Sequence, residues 1–360
     1  MIEERIERTF ETGATAEVEI SNVVGSIEVQ GWDQPEVQII AVKRGNDGDA
    51  TVEIGSAGKR VWARTHTARR FQHLFRWLRR NNEDVTVDYT VCVPHASTVS
   101  VNGISGPIHI AEVHQGASVD SVDGHILLED LAGEIAANTV ESSVEGDGLA
   151  GTLDVETIAG YVELSDSQLS RLHAKSVDGS IRAAGQIDNL LAEAVNGTVH
   201  LTSSLNPEGR YVVKTVNGRF RLAVPDETAC EVRAAGMNLT VRCDLPHRIE
   251  EKRWGRWAGQ VNDGGGAQVE FDTVNGKLII TSAEARGETT EESQATATSE
   301  EPMPATPEAA DHGEAVPPED EAPEVPSAIT RMDILKAVER GEIDVEDALE
   351  KLQRLNEPAE

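Results

Sequence analysis

Eight short units of this chain set a glycine among alternating aliphatic residues: VVGSIEV, ISGPIHI, VDGHILL, IAGYVEL, VDGSIRA, VNGTVHL, VNGRFRL and VNGKLII. From Gly106 the anchors run through Gly124, Ser142, Gly160, Gly179, Gly197 and Gly218, at intervals of 18 to 21 residues. A fixed period of this length signals a repeat architecture, because one unit cannot bury its apolar row alone. Two positions before the anchor stands Ile104, Val122, Val140, Ile158, Val177, Val195 or Val216. Two positions after it stands Ile108, Ile126, Val144, Val162, Ile181, Val199 or Phe220.

Asn-Gly commonly closes a two-residue hairpin, but a hairpin at Asn196-Gly197 would put Val195 and Val199 on opposite faces. A strand continuing through the glycine keeps the positions at −2, 0, +2 and +4 on one side. The continuous strand is therefore expected, with all four positions inward and the glycine inward for steric reasons. The polar pairs ET, KS and EA before the anchor break the alternation and are expected to form the corner. The fold class is all-β, a parallel β-solenoid with rungs of about 18 residues. Regular rungs are expected over Val85–Pro225, with irregular insertions at 59–82 and 242–266, and Gln268–Ser282 as a last rung; the whole domain covers 1–283.

After this domain the composition changes. Residues 284–328 hold 13 acidic residues, one arginine and half of the prolines, so no core can form and a disordered acidic linker is expected. Helical spacing returns in 329–356. Ile334, Leu335 and Val338 share one short helix, and Val345, Leu349 and Leu352 another. Helices this short are marginal alone, so the hairpin is expected to pair with copies of itself or with another protein.

The repeats, together with VVGSIEVQGW and VCVPHASTVSVNGISGPI, resemble the bacterial putative-adhesin domain, a β-solenoid also found in envelope-stress proteins of the LiaG, LiaX and YvlB type. The final segment is similar to the SHOCT-like helical hairpin. The resemblance spans about residues 16 to 283 and implies envelope-associated sensing or binding, with oligomerisation through the hairpin.

With 63 acidic against 32 basic residues, general nucleic-acid binding is opposed. Cys92, Cys230 and Cys243 lack a CxxC or a His-Cys spacing, so neither a disulfide framework nor a metal site is indicated, and the thiols are read as core or near-core. No catalytic group and no cofactor is expected, and the chain is read as non-enzymatic. His109, His125 and His200 fall on outward positions with no partner spacing. The alternative is a glycan-binding or glycan-cleaving β-helix, for which Glu129, Glu163 and Asp178 supply outward acids. The N-terminus lacks a signal-like apolar run, so a cytoplasmic protein, peripheral at the inner face of a membrane, is the expectation.

One stretch opposes the general acidity: residues 59–82 carry eight basic residues and no acid. As a helix over 68–80, it would set Phe71, Leu74, Phe75 and Leu78 on one face, with Arg69, Arg70, Arg76, Arg79 and Arg80 mainly on the other. Such a helix fits either a cap on the stack or a membrane or partner surface. Trp77 belongs to this stretch, and Arg253, Trp254, Arg256 and Trp257 repeat the pairing of tryptophan with arginine. Both groups are candidate membrane or partner contacts.

Overall fold

The computed structural model describes residues 2–45, 50–67, 85–262 and 264–283. The chain divides into two compact units, Met1–Ala295 and Thr296–Glu360; the second, with its expected helical hairpin, lies outside the described residues. Every regular element among the described residues is a strand, and all of them join one sheet.

The stack is built from β8 (Thr98–Ser105), β9 (Ile108–Ala111), β10 (Ala117–Asp123), β11 (Ile126–Glu129), β12 (Ala132–Glu141), β13 (Val144–Asp147) and β14 (Ala150–Ile187), which alone covers two repeats. β10 pairs in parallel with β8 and β12, Ala117 opposing Val99 and Ile135. β11 pairs likewise with β9 and β13, Ile126 opposing Ile108 and Val144. Each repeat thus lends one strand to a first wall and a shorter one to a second wall. β15 (Leu190–Thr202) and β16 (Arg210–Val224) continue the pattern. β15 passes through Asn196 and Gly197 without reversal, and the two oppose Asn217 and Gly218 of β16.

Val199 is only 1% exposed, as the continuous strand requires, yet Val195 is 39% exposed. The −2 position faces outward, which corrects the expected inward set. On the first wall the inward residues fall at −5 and −3, here Ala192 and Ala194; on the second they fall at +2 and +4, here Val199 and Leu201. The bend lies between −2 and +1, later than the polar pairs, and its extra residues shift the alternation. The second member of each pair is small and buried: Thr139, Thr157, Ser176, Ala194 and Thr215.

The glycine is a product of this corner. A Cβ on Gly197 would sit 1.8 Å from the Gly179 carbonyl oxygen, and one on Gly124, whose φ is +132°, would sit 2.1 Å from that of Gly106. Gly106, Gly124, Gly160, Gly179 and Gly197 therefore each stack against the backbone of the neighbouring repeat, an approach a side chain would obstruct, whereas Ser142 takes the same position and is itself buried. The opposite corner recurs at Glu112, Asp130, Gly148 and Asp166, all at positive φ between 44° and 65°.

Gln268–Ser282 is not the last rung. It lies in β20 (Ala267–Ser282), which inserts between β16 and β17 (Cys230–Cys243), parallel to both. Most of the stretch expected to be irregular at 242–266 is ordered as strand, because β18 (His247–Arg253) and β19 (Arg256–Val261) form an antiparallel hairpin, of which β19 pairs with the first half of β17. At the other end, β2 (Glu17–Val24) adds to β8, and β3 (Ile27–Trp32) to β9. Antiparallel partners then close this end: β5 (Ala50–Ala57) pairs with β6 (Arg60–Thr67), while β4 (Glu36–Gly45) lies between β1 (Ile2–Glu11) and β7 (Thr86–Pro94). Residues 60–67, expected to be irregular, are thus a strand.

One aliphatic core fills the interior. Toward β20 it becomes aromatic, with the Phe220 and Phe271 rings 5.9 Å apart. The Tyr211 hydroxyl donates to the Ile187 carbonyl at 2.7 Å. Its burial is thereby compensated by a hydrogen bond.

Candidate interaction surface

The outward −2 residues stack in register along the corner between the two walls. Ile104, Val122, Val140, Ile158, Val195, Val216 and Val274 are each 37% to 51% exposed, and Val177 is half-buried. Met237 lies between Gly236 and Asn238, which oppose Thr273 and Asn275 around Val274. It therefore extends the column, and it is 62% exposed. Eight steps between adjacent strands at about 4.8 Å give a strip about 38 Å long. Aliphatic side chains repeated at one exposed position are not explained by folding, since leaving them in water forgoes their burial energy.

Polar ladders flank the strip. On its glycine side, Asn196 donates to Asp178 at 2.8 Å, Asn217 to Asn196 at 3.2 Å, Asn275 to Asn217 at 2.9 Å and Asn238 to Asn275 at 2.6 Å. On its other side, Lys214 pairs with Glu193 at 3.2 Å, Asn138 donates to Asp120 at 2.9 Å, and Lys175 pairs with Glu156. Between this second ladder and the aliphatic column runs a trough of about 800 Å³, floored by the small residues Ser121, Thr157 and Thr215. Because the flanking polar groups are matched to one another, the strip is left as an apolar surface.

A larger concavity of about 1600 Å³ covers the outside of the first wall. Several of its polar groups meet one another: Arg60 pairs with Glu19 at 2.7 Å, Arg210 with Glu270 at 2.8 Å, and His173 approaches Asp154 at 3.2 Å. Hydrogen bonds from Arg60 and Arg64 hold the Glu19 carboxyl below its ordinary range.

Residues 14–235 match the family model Toastrack DUF4097. The chain belongs to this family. The matched part of the toastrack chain stops within β17, so the β18–β19 hairpin and β20 lie beyond it. No curated protein matches the sequence. Solved structures that align with it include a "putative adhesin" from Bacteroides fragilis NCTC 9343, 11% identical, covering 78% of this chain and 97% of that one, TM-score 0.37. A "putative adhesin" from Parabacteroides merdae ATCC 43184 is 10% identical over 78% and 95% of the two chains, TM-score 0.37. A "putative lipid binding protein" from Parabacteroides distasonis ATCC 8503 is 10% identical over 77% and 96%, TM-score 0.34. Overlap this loose says nothing of what the toastrack chain binds.

Of the contacts expected from sequence, the structure places Arg253, Trp254 and Arg256 at the exposed tip of the β18–β19 hairpin, with Trp254 86% exposed. Trp257 is a correction. It is 7% exposed, belongs to the core and packs at 6.3 Å from His247, because it lies on the face of β19 that covers the stack. Arg69, Arg70, Phe71, Phe75, Arg76, Trp77, Arg79 and Arg80 lie outside the described residues, as do Ile334, Leu335, Val338, Val345, Leu349 and Leu352. His109 meets Glu129 at 2.7 Å and His125 approaches Glu145 at 3.5 Å, so these two have partners that spacing did not reveal; His200 is buried. Glu129, Glu163 and Asp178 stand on different rungs and are not brought together as a carboxylate pair. Sequence reading missed the aliphatic strip, although its residues were in view, because they were assigned to the core.

Proposed function

We propose that this toastrack protein is a β-solenoid interaction scaffold that works at a membrane surface and is multiplied by its C-terminal hairpin. The exposed aliphatic column carries the reading. A continuous apolar strip of this length on a soluble domain marks a contact site rather than a folding requirement. The resemblance to envelope-stress proteins of the LiaG, LiaX and YvlB type supports the membrane setting. The SHOCT-like spacing of 329–356 supports self-association, and a tethered oligomer would turn weak surface contacts into avid ones.

Sedimentation of the full chain with vesicles tests the membrane setting. Binding to phosphatidylglycerol-containing vesicles is expected, falling as salt is raised, with little binding to phosphatidylcholine alone. A full chain that stays in the supernatant with both vesicle types at low salt overturns it.

A further inference from the structure

The charge around the strip is not uniform. Along its first rungs the neighbouring outward residues include Asp120, Asp123, Glu141, Glu156 and Asp178. Before the glycine the last rungs stay mixed, with Lys214 opposing Asp272; after it the sign reverses from the Glu145 and Glu163 of earlier rungs. On β16 and β20 the outward charged residues just after the glycine are Arg219, Arg221 and Lys277, with no acid among them. Arg219 and Lys277 are register partners on adjacent strands. They are like-charged residues whose backbones lie about 4.8 Å apart along the stack, in a chain with a net charge of −31.

The two most exposed apolar side chains, Met237 at 62% and Trp254 at 86%, also stand at this end. Val216 and Val274 lead to Met237, and the Gly236 N–H donates to the Gly255 carbonyl at 2.9 Å. That bond holds the β18–β19 turn beside Gly236, which brings Trp254, the neighbour of Gly255, to the end of the strip where Met237 stands. Arg253 and Arg256 flank the tryptophan; the Arg253 side chain, 81% exposed, pairs with Glu251 at 3.5 Å, which leaves Arg256 as the cation at the tip.

We infer that this end of the corner is a docking edge for an anionic lipid surface, with Met237 and Trp254 entering the headgroup layer and Arg219, Lys277 and Arg256 meeting the headgroups. The inference rests on the membrane reading above and specifies where the contact is made. Tryptophan is favoured at the level of lipid headgroups. A short apolar edge backed by cations gains from both insertion and attraction to anionic lipid. The acidic flank of the first rungs would be repelled by the same surface, so the molecule meets it with the β17 end of the stack.

The test uses the full chain and vesicles of phosphatidylglycerol and phosphatidylcholine. The double variant M237S/W254S is expected to lose at least tenfold in vesicle affinity. R219E/K277E should lose a similar factor at low salt and show a flatter salt dependence. S100A/S118A, on the outer face of the first wall and away from the strip, should bind as the parent does. Unchanged circular dichroism and melting temperature would confirm that each variant is folded.

Parent-like binding by both docking-edge variants overturns the edge while leaving the membrane reading standing. Loss of binding in R69E/R70E/R76E/R79E/R80E, with retention in M237S/W254S, assigns the contact to residues 68–80 and also overturns the edge. A fall in light-scattering mass for M237S/W254S with vesicle affinity unchanged identifies the patch as an interface between copies, which overturns it as well. Failure of the parent to bind any vesicle removes both readings.

Discussion

Val140 and Val144 lie four residues apart and share one side-chain type, but only Val144 is buried. Thermal and urea unfolding should separate them. Val140→Thr should change stability by less than about 0.5 kcal/mol, whereas Val144→Thr should cost about 1–3 kcal/mol, because it buries a hydroxyl among aliphatic neighbours. Equal costs would place the −2 position in the core and remove the surface strip. Cys230 offers a second residue-scale test. Burial pushes its thiol up to about 12, so almost no thiolate exists at pH 8. Thiol-reactive dye should label it only at the rate of unfolding; fast labelling in native buffer would contradict its burial.

At the scale of elements, rung-to-rung stacking sets the tolerances. Gly197→Ala puts a methyl 1.8 Å from a neighbouring carbonyl oxygen, so the rungs must part locally. The expected cost is at least about 2 kcal/mol, seen as a fall of at least about 4 °C in melting temperature. No fall would mean that the glycines do not stack in this way. Asp88 links β7 to the β2–β3 turn. Burial raises its carboxyl, but hydrogen bonds from the Ser26 N–H and hydroxyl, with Arg44 beside it, outweigh that and hold it below the ordinary value. A group depressed in the folded state lends stability above its unfolded value near 3.9, and loses it as pH falls through the folded value. Asp88→Asn should therefore cost about 1–2 kcal/mol at pH 7. The gap to the parent should close below about pH 4; a gap unchanged down to pH 2 would show that ionisation is not its source.

For the whole molecule, two features bear on assembly. The second half of β17, Asn238–Cys243, pairs with β20 on one side, while the hairpin covers only the first half. Among the described residues that half has no strand on its other side, which makes it an edge for another chain, and the net charge of −31 opposes uncontrolled stacking of copies. The proposed route to assembly is instead the hairpin expected at 329–356. Light scattering on a chain ending at Glu324 should give a monomer mass and the full chain a multiple of it; identical masses would remove that role.

The period of two along each strand and the glycine interval are local properties, so sequence alone determined the all-β class, the passage of the chain through Asn196-Gly197 and the buried +2 column. The direction of the −2 column depends on how many residues the corner consumes, and that number is set by backbone stacking against the neighbouring repeat. Val195 and Val199 are therefore indistinguishable in the sequence and opposite in the structure. The order of the last rungs was equally hidden, because β17 and β20 both offer inward aliphatic residues to β16, and the pairing selects β20. Only the tertiary structure could decide which aliphatic side chains remain in water, and the functional reading rests on those.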